Sequence, residues 1–147
     1  YHGTFGLRQD NVKANELFLQ AGELGCAMAY GNIAHIYIKG EGVEKDTTKA
    51  RYYYELAAMG GNVKARINLG YLEEDAGNMN RAVKHYMISA SAGDDDSLKA
   101  IRQGFMNGLV TKDDFERVLR AHKEANDEVK SDQREAFAAA NRAASDQ

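Results

Sequence analysis

Apolar positions recur at spacings of three and four along most of the chain, the mark of helices that bury one side. One stripe reads Ala14-x-x-Leu17-Phe18-x-x-Ala21. It returns as Ala50-x-x-Tyr53-Tyr54-x-x-Ala57 and again as Ala82-x-x-His85-Tyr86-x-x-Ser89. Between these stripes lies a second kind, Ala29, Ile33, Ile36 and Tyr37, followed by Ala65, Leu69 and Leu72. Ala34 and Gly70 adjoin it, where a small side chain lets a neighbouring helix come close.

The two stripes form a repeat. Displaced by 36 positions, the chain places Gly6 on Gly42, Asp10 on Asp46, Ala14 on Ala50, Phe18 on Tyr54, Ala29 on Ala65 and Asn32 on Asn68. The next copy follows after 32, since Ala50-x-x-Tyr53-Tyr54 becomes Ala82-x-x-His85-Tyr86. The missing residues fall between helices, where the run from Lys39 to Asp46 shrinks to the run from Asp75 to Met79. A loop absorbs such a deletion, whereas one inside a helix would rotate every later side chain off its face. Each repeat is therefore two helices and a loop.

Asp10 and Asp46 precede second helices and read as N-caps, and Gly60-Gly61 and Gly93 read as helix stops. Thr111 to Asp114 opens a further helix with Phe115, Val118, Leu119 and His122 on its apolar side. The expected architecture is an all-α solenoid over residues 1–130. It comprises a partial repeat at 1–24 that lacks its first helix, repeats at 25–60 and 61–92, and a degenerate capping repeat at 93–130. In that last unit Ser97 replaces the motif alanine and Arg102 replaces Gly70. Residues 131–147 form a weakly anchored tail in which Ser131 begins one more short helix.

Composition narrows the function. With 147 residues, 44% apolar and without proline, the chain has enough apolar surface for one core but no run of about 18 apolar residues for a membrane span. A net charge of -3 lacks the basic excess of nucleic-acid binders. The single cysteine, Cys26, forms no internal disulfide and favours a reducing, intracellular compartment, cytoplasmic or nuclear. The start at Tyr1, without Met or leader, reads as a piece of something longer.

Three segments carry a family resemblance. Ala65-Arg66-Ile67-Asn68-Leu69-Gly70 resembles the first-helix signature of the Sel-one-like repeats, α/α units related to tetratricopeptide repeats. Gly40-Glu41-Gly42-Val43-Glu44-Lys45-Asp46 resembles their loop, and Lys49-Ala50-x-x-Tyr53-Tyr54-x-x-Ala57-Ala58 their second helix. The segments from Phe18 to Ala27 and from Gly108 to Phe115 look like the diatom and algal set in particular. In several of those the repeats follow a RING-type zinc finger associated with ubiquitin transfer. The resemblance implies that such a finger, and any ligase activity, would lie upstream of Tyr1.

Candidate chemistry is sparse. His2, His35, His85 and His122 are not spaced as metal-ligand pairs; His85 reads as a packing residue and His35 as exposed. Cys26 opens a helix but has no basic neighbour in sequence, and reads as a small buried residue. Gly40-x-Gly42 is too short for a phosphate cradle and reads as a turn that needs positive φ. The runs Glu73-Glu74-Asp75 and Asp94-Asp95-Asp96 do not alternate like a calcium loop, and the second reads as a cap. Tyr53 and Tyr54 read as core, with Tyr52 off the stripe.

No enzyme, cofactor or metal is indicated, and protein binding remains. The first helices would line a groove, with Met28, Gly31 and His35 opposite the apolar arc, then Lys64, Ile67 and Tyr71, then Lys99 and Gln103. Such a stripe suits an acidic or aromatic-bearing peptide. The alternatives are the substrate-selecting half of a ubiquitin ligase and a structural spacer or assembly subunit. Self-association through Leu17, Phe18 and Ala21 of the open half-repeat is a further expectation.

Overall fold

In a computed structural model, the backbone is described from residue 2 to 145 and the side chains from 10 to 145. The expectations for Tyr1, for the His2 side chain and for the last two residues of the tail lie outside these. The described residues form seven helices: α1 (His2–Glu23), α2 (Ala27–Lys39), α3 (Thr47–Met59), α4 (Val63–Asp75), α5 (Met79–Ser91), α6 (Asp95–Met106) and α7 (Lys112–Ser145). They divide into two compact units, residues 1–85 and 86–147, with the division inside α5.

In the first unit α1 packs on α2, α2 on α3 and α3 on α4. The two kinds of stripe supply the core: Ala34, Tyr54, Ala57, Ala58, Ala65 and Leu69 are buried together, with Tyr30, Ile38, Tyr53 and Leu72 against them. Alanines at the crossings bring the backbones near, and the aromatic rings fill what remains. Tyr53 is the centre of the ring set, stacked on Tyr37 at 5.9 Å and on Tyr30 at 6.2 Å. Burial, and then Tyr37, Tyr52 and Tyr30, push its phenol upward from the ordinary value. Tyr52 meets Tyr53 edge-on and is exposed.

Helix ends are specified locally. Asp46 accepts the Lys49 N–H at 3.0 Å, Asn62 that of Ala65 at 2.9 Å and Asp94 that of Ser97 at 2.7 Å. Gly40 and Gly42 turn the loop after α2 at φ 72° and 75°, as their spacing requires. Two expectations fail at the start of the chain. Asp10 lies inside α1, which runs unbroken from His2, so this unit has no loop where the next copy has one. Thr4 stands at the position of Gly40, and its branched Cβ opposes the left-handed turn. Cys26 is exposed, not buried, because it precedes α2 as an extended N-cap and shares no helical stripe.

One acidic run is not a solvated surface. Glu73 is only 3% exposed, pairs with the Arg51 guanidinium across α3 and α4, and accepts the Asn78 amide at 2.9 Å. Burial would raise its carboxyl. The hydrogen bonds from Asn78 and Arg51, with the charges of Arg51 and Arg81, outweigh that and hold it below the ordinary value.

In the second unit Tyr86, Ser89, Ala90, Ser97, Ile101, Val110 and Val118 are buried. Ser89 and Ser97 occupy, 32 positions on, the places of Ala57 and Ala65, and their hydroxyls bond each other at 2.8 Å. Phe105 stacks on Phe115 at 4.7 Å, and His122 Nε2 meets Asp95 Oδ1 at 2.9 Å, which together tie α6 to α7. The last helix does not restart at Ser131. Neither Gly nor Pro interrupts α7, and residues 127–145 are all exposed. Phe137 is 70% exposed there, so Phe137→Ser is expected to shift unfolding by less than about 0.5 kcal/mol in a urea titration.

Candidate functional site

The first helices α2 and α4 enclose a depression of about 370 Å³ in the first unit. From α2 come Met28, Gly31, Asn32 and His35, and from α4 Lys64, Ala65 and Asn68; Asn62 stands at one end and Tyr54 lines it from α3. Met28, His35 and Lys64 are exposed, and Tyr54 is buried in the core beneath. The helical register explains the set. Residues 28, 31, 32 and 35 share one flank of α2, and 64, 65 and 68 one flank of α4.

The lining is rich in donors. Asn62 uses its Oδ1 to cap α4, which leaves its Nδ2 as the half available to a ligand. Among the described residues, the side chains of Asn32, His35, Lys64 and Asn68 have no hydrogen-bond or ion-pair partner, and no carboxylate lines the depression. A second depression of about 310 Å³ lies between α1 and α2 and contains Asn11, Phe18 and Glu41; Asn32 and His35 border both. Phe18 and Ala21 are half-buried and Leu17 is exposed.

Four of the expected groove residues, Met28, Gly31, His35 and Lys64, thus come together, and four do not. Ile67 is half-buried and Tyr71 exposed on α4, and neither lines the depression. They are the repeat equivalents of Gly31 and His35. Met28 and Lys64, like Asn32 and Asn68, are equivalents that both line the depression, so it takes in only part of the equivalent stripe and leaves Ile67 and Tyr71 outside. Lys99 and Gln103 belong to the second unit, where Lys99 pairs with Asp96 at 3.5 Å and Gln103 donates to Asn107 at 3.2 Å. Asn32, Asn62 and Asn68 were not among the expected groove residues. The recurrence of Asn32 as Asn68 one repeat later was the available signal.

Of the remaining histidines, His85 on α5 is half-buried within the first unit. Burial, then Arg66, lower its pKa from the ordinary value, more than Glu73 and Glu55 raise it. Among the described residues there is no group of three His, Cys, Asp or Glu placed to hold a metal, and no helix long and apolar enough to cross a membrane.

The sequence model of the Sel1 repeat matches residues 1–26, 27–62 and 63–94. The chain belongs to the Sel1 repeat family. Its fold is the all-α repeat solenoid of that family, built from helix pairs. In structure it is similar to a Sel1 repeat protein from Oxalobacter formigenes, with a TM-score of 0.61 and 27% identity, over 78% of this chain and 49% of that one. In sequence it is 35% identical over 86 residues to an ERAD-associated E3 ubiquitin-protein ligase component, HRD3B, of Arabidopsis thaliana. That match takes in 58% of this chain and 13% of HRD3B, so the chain spans a small part of that relative's length. Sel1 repeats generally mediate protein–protein interaction, and the chain is a repeat protein of that kind.

Proposed function

We propose that this chain is a non-catalytic binding module that holds an extended peptide segment of a partner protein in the depression between α2 and α4. The observation that carries the reading is the set of unengaged amide and basic side chains on the facing flanks of two successive first helices. Such groups satisfy the backbone N–H and C=O of an extended chain, while Met28 supplies apolar contact. A photoreactive residue at Asn68 is expected to capture a partner from native cell extract, and one at exposed Tyr52 on α3 is not. Lys64→Glu should reduce the capture about fivefold or more, by placing a charge where the partner docks. Equal capture from both positions, or capture indifferent to Lys64→Glu, would sink the reading.

A second reading places this binding within a ubiquitin-ligase assembly, and the similarity to HRD3B favours it. The test is whether partners captured at Asn68 carry or acquire ubiquitin in the presence of activating and conjugating enzymes. A partner set free of ligase components leaves the module as a general adaptor.

A further inference from the structure

Resting on the proposed peptide reading, we infer that the depression between α2 and α4 selects acidic side chains, and that the partner segment carries Asp or Glu there. The argument is a count of donors and acceptors. Lys64 offers three donors and no acceptor, and no carboxylate lines the depression to neutralise it. Asn62 is committed by its cap to present only Nδ2. Asn32 and Asn68 each bring an amide N–H pair, and their oxygens remain for the peptide backbone. A carboxylate answers this arrangement with charge and with up to four lone-pair directions, which a neutral amide or an apolar side chain does not. The aromatic alternative loses its support, because Tyr71 lies off the lining and Tyr54 is closed into the core. The neighbouring depression between α1 and α2 carries Glu41 and has no lysine, so the preference is local to this one.

Two substitutions separate chemistry from folding. Asn62→Asp keeps an oxygen to accept the Ala65 N–H and so keeps the cap, but replaces the ligand-facing donor with an acceptor and adds a negative charge. Lys64→Met installs the residue that stands at the equivalent place one repeat earlier, Met28, and removes the positive charge.

The experiment is selection of a random displayed-peptide library on the full chain, with unchanged unfolding midpoints confirming that both variants fold. Binders are read by sequence and mapped with a photoreactive residue at Asn68. Binders enriched in Asp and Glu, cross-linked at position 68, and weakened roughly tenfold by either substitution (1.4 kcal/mol) support the inference. Binders that cross-link at position 68 without acidic enrichment overturn it while leaving the peptide reading intact. An absence of cross-linked binders at position 68 overturns both.

Discussion

Glu73→Ala is expected to destabilise the chain by about 3 kcal/mol in urea unfolding, the largest effect of any single polar substitution in the first unit. The change removes a carboxylate that is almost fully buried and leaves the Arg51 guanidinium and the Asn78 amide without their shared acceptor. Arg51 retains 31% of its side-chain exposure, so water offsets part of its loss. Glu73→Gln keeps the shape and one acceptor, and should cost about half as much. The double change Arg51→Met and Glu73→Leu removes both charges and is expected to recover most of the stability, as buried pairs replaced by apolar residues do. No recovery in the double variant would mean that the pair specifies the packing of α3 on α4 in a way apolar contact does not.

The same pair sets a dependence on pH. Glu73 is held below its ordinary value of 4.5, so between the folded and unfolded values the unfolded chain binds more protons, and stability falls as pH drops through that window. His85 acts in the same direction at a higher pH. Its folded value lies below the ordinary 6.5, so its neutral form favours folding, and that contribution is full above 6.5 and fades beneath it. The unfolding midpoint should therefore decline in two stages on acidification, with Glu73→Gln flattening only the lower one.

Ser97→Ala alone is expected to cost about 1 kcal/mol, because Ser89 loses the Ser97 hydroxyl at 2.8 Å while keeping the Tyr86 carbonyl at 3.2 Å. Changing both serines should return the chain to within about 0.5 kcal/mol of the parent. The earlier repeat shows the outcome already built, since Ala57 and Ala65 fill the same two places and are equally buried. A double-mutant cycle read by chemical denaturation gives the coupling directly. Additive losses would show that each hydroxyl is satisfied without the other.

What could be read beforehand follows the range of each interaction. The stripes, the loop glycines and the caps at Asp46 and Asp94 depend on residues three or four apart, and they were legible. Glu73 was not, since its acid run resembles a solvated surface and its guanidinium partner is 22 residues away. The Ser97 substitution read as decay of the motif because its compensation, Ser89, sits in another helix. Repeat equivalence picked out Met28, His35 and Lys64, which line the depression, together with Ile67 and Tyr71, which do not. The start of α1 went unread because Gly6 and Asp10 match the loop pattern, although Thr4, Phe5 and Arg8 stand where the next copy has Gly40, Glu41 and Glu44.

The N-caps of α2, α4 and α6 fall at one repeat position yet are Cys26, Asn62 and Asp94, and only the last two hold a backbone N–H with the side chain. The two walls of the depression therefore differ in how firmly their ends are closed. The first turn of α4, which carries Lys64, is latched. The first turn of α2, which carries Met28, opens at lower cost, since no side chain answers its free amides. On the reading proposed above, a bound segment would meet one rigid jaw and one yielding jaw, with recognition set from the α4 side while the α2 side adapts to what is held.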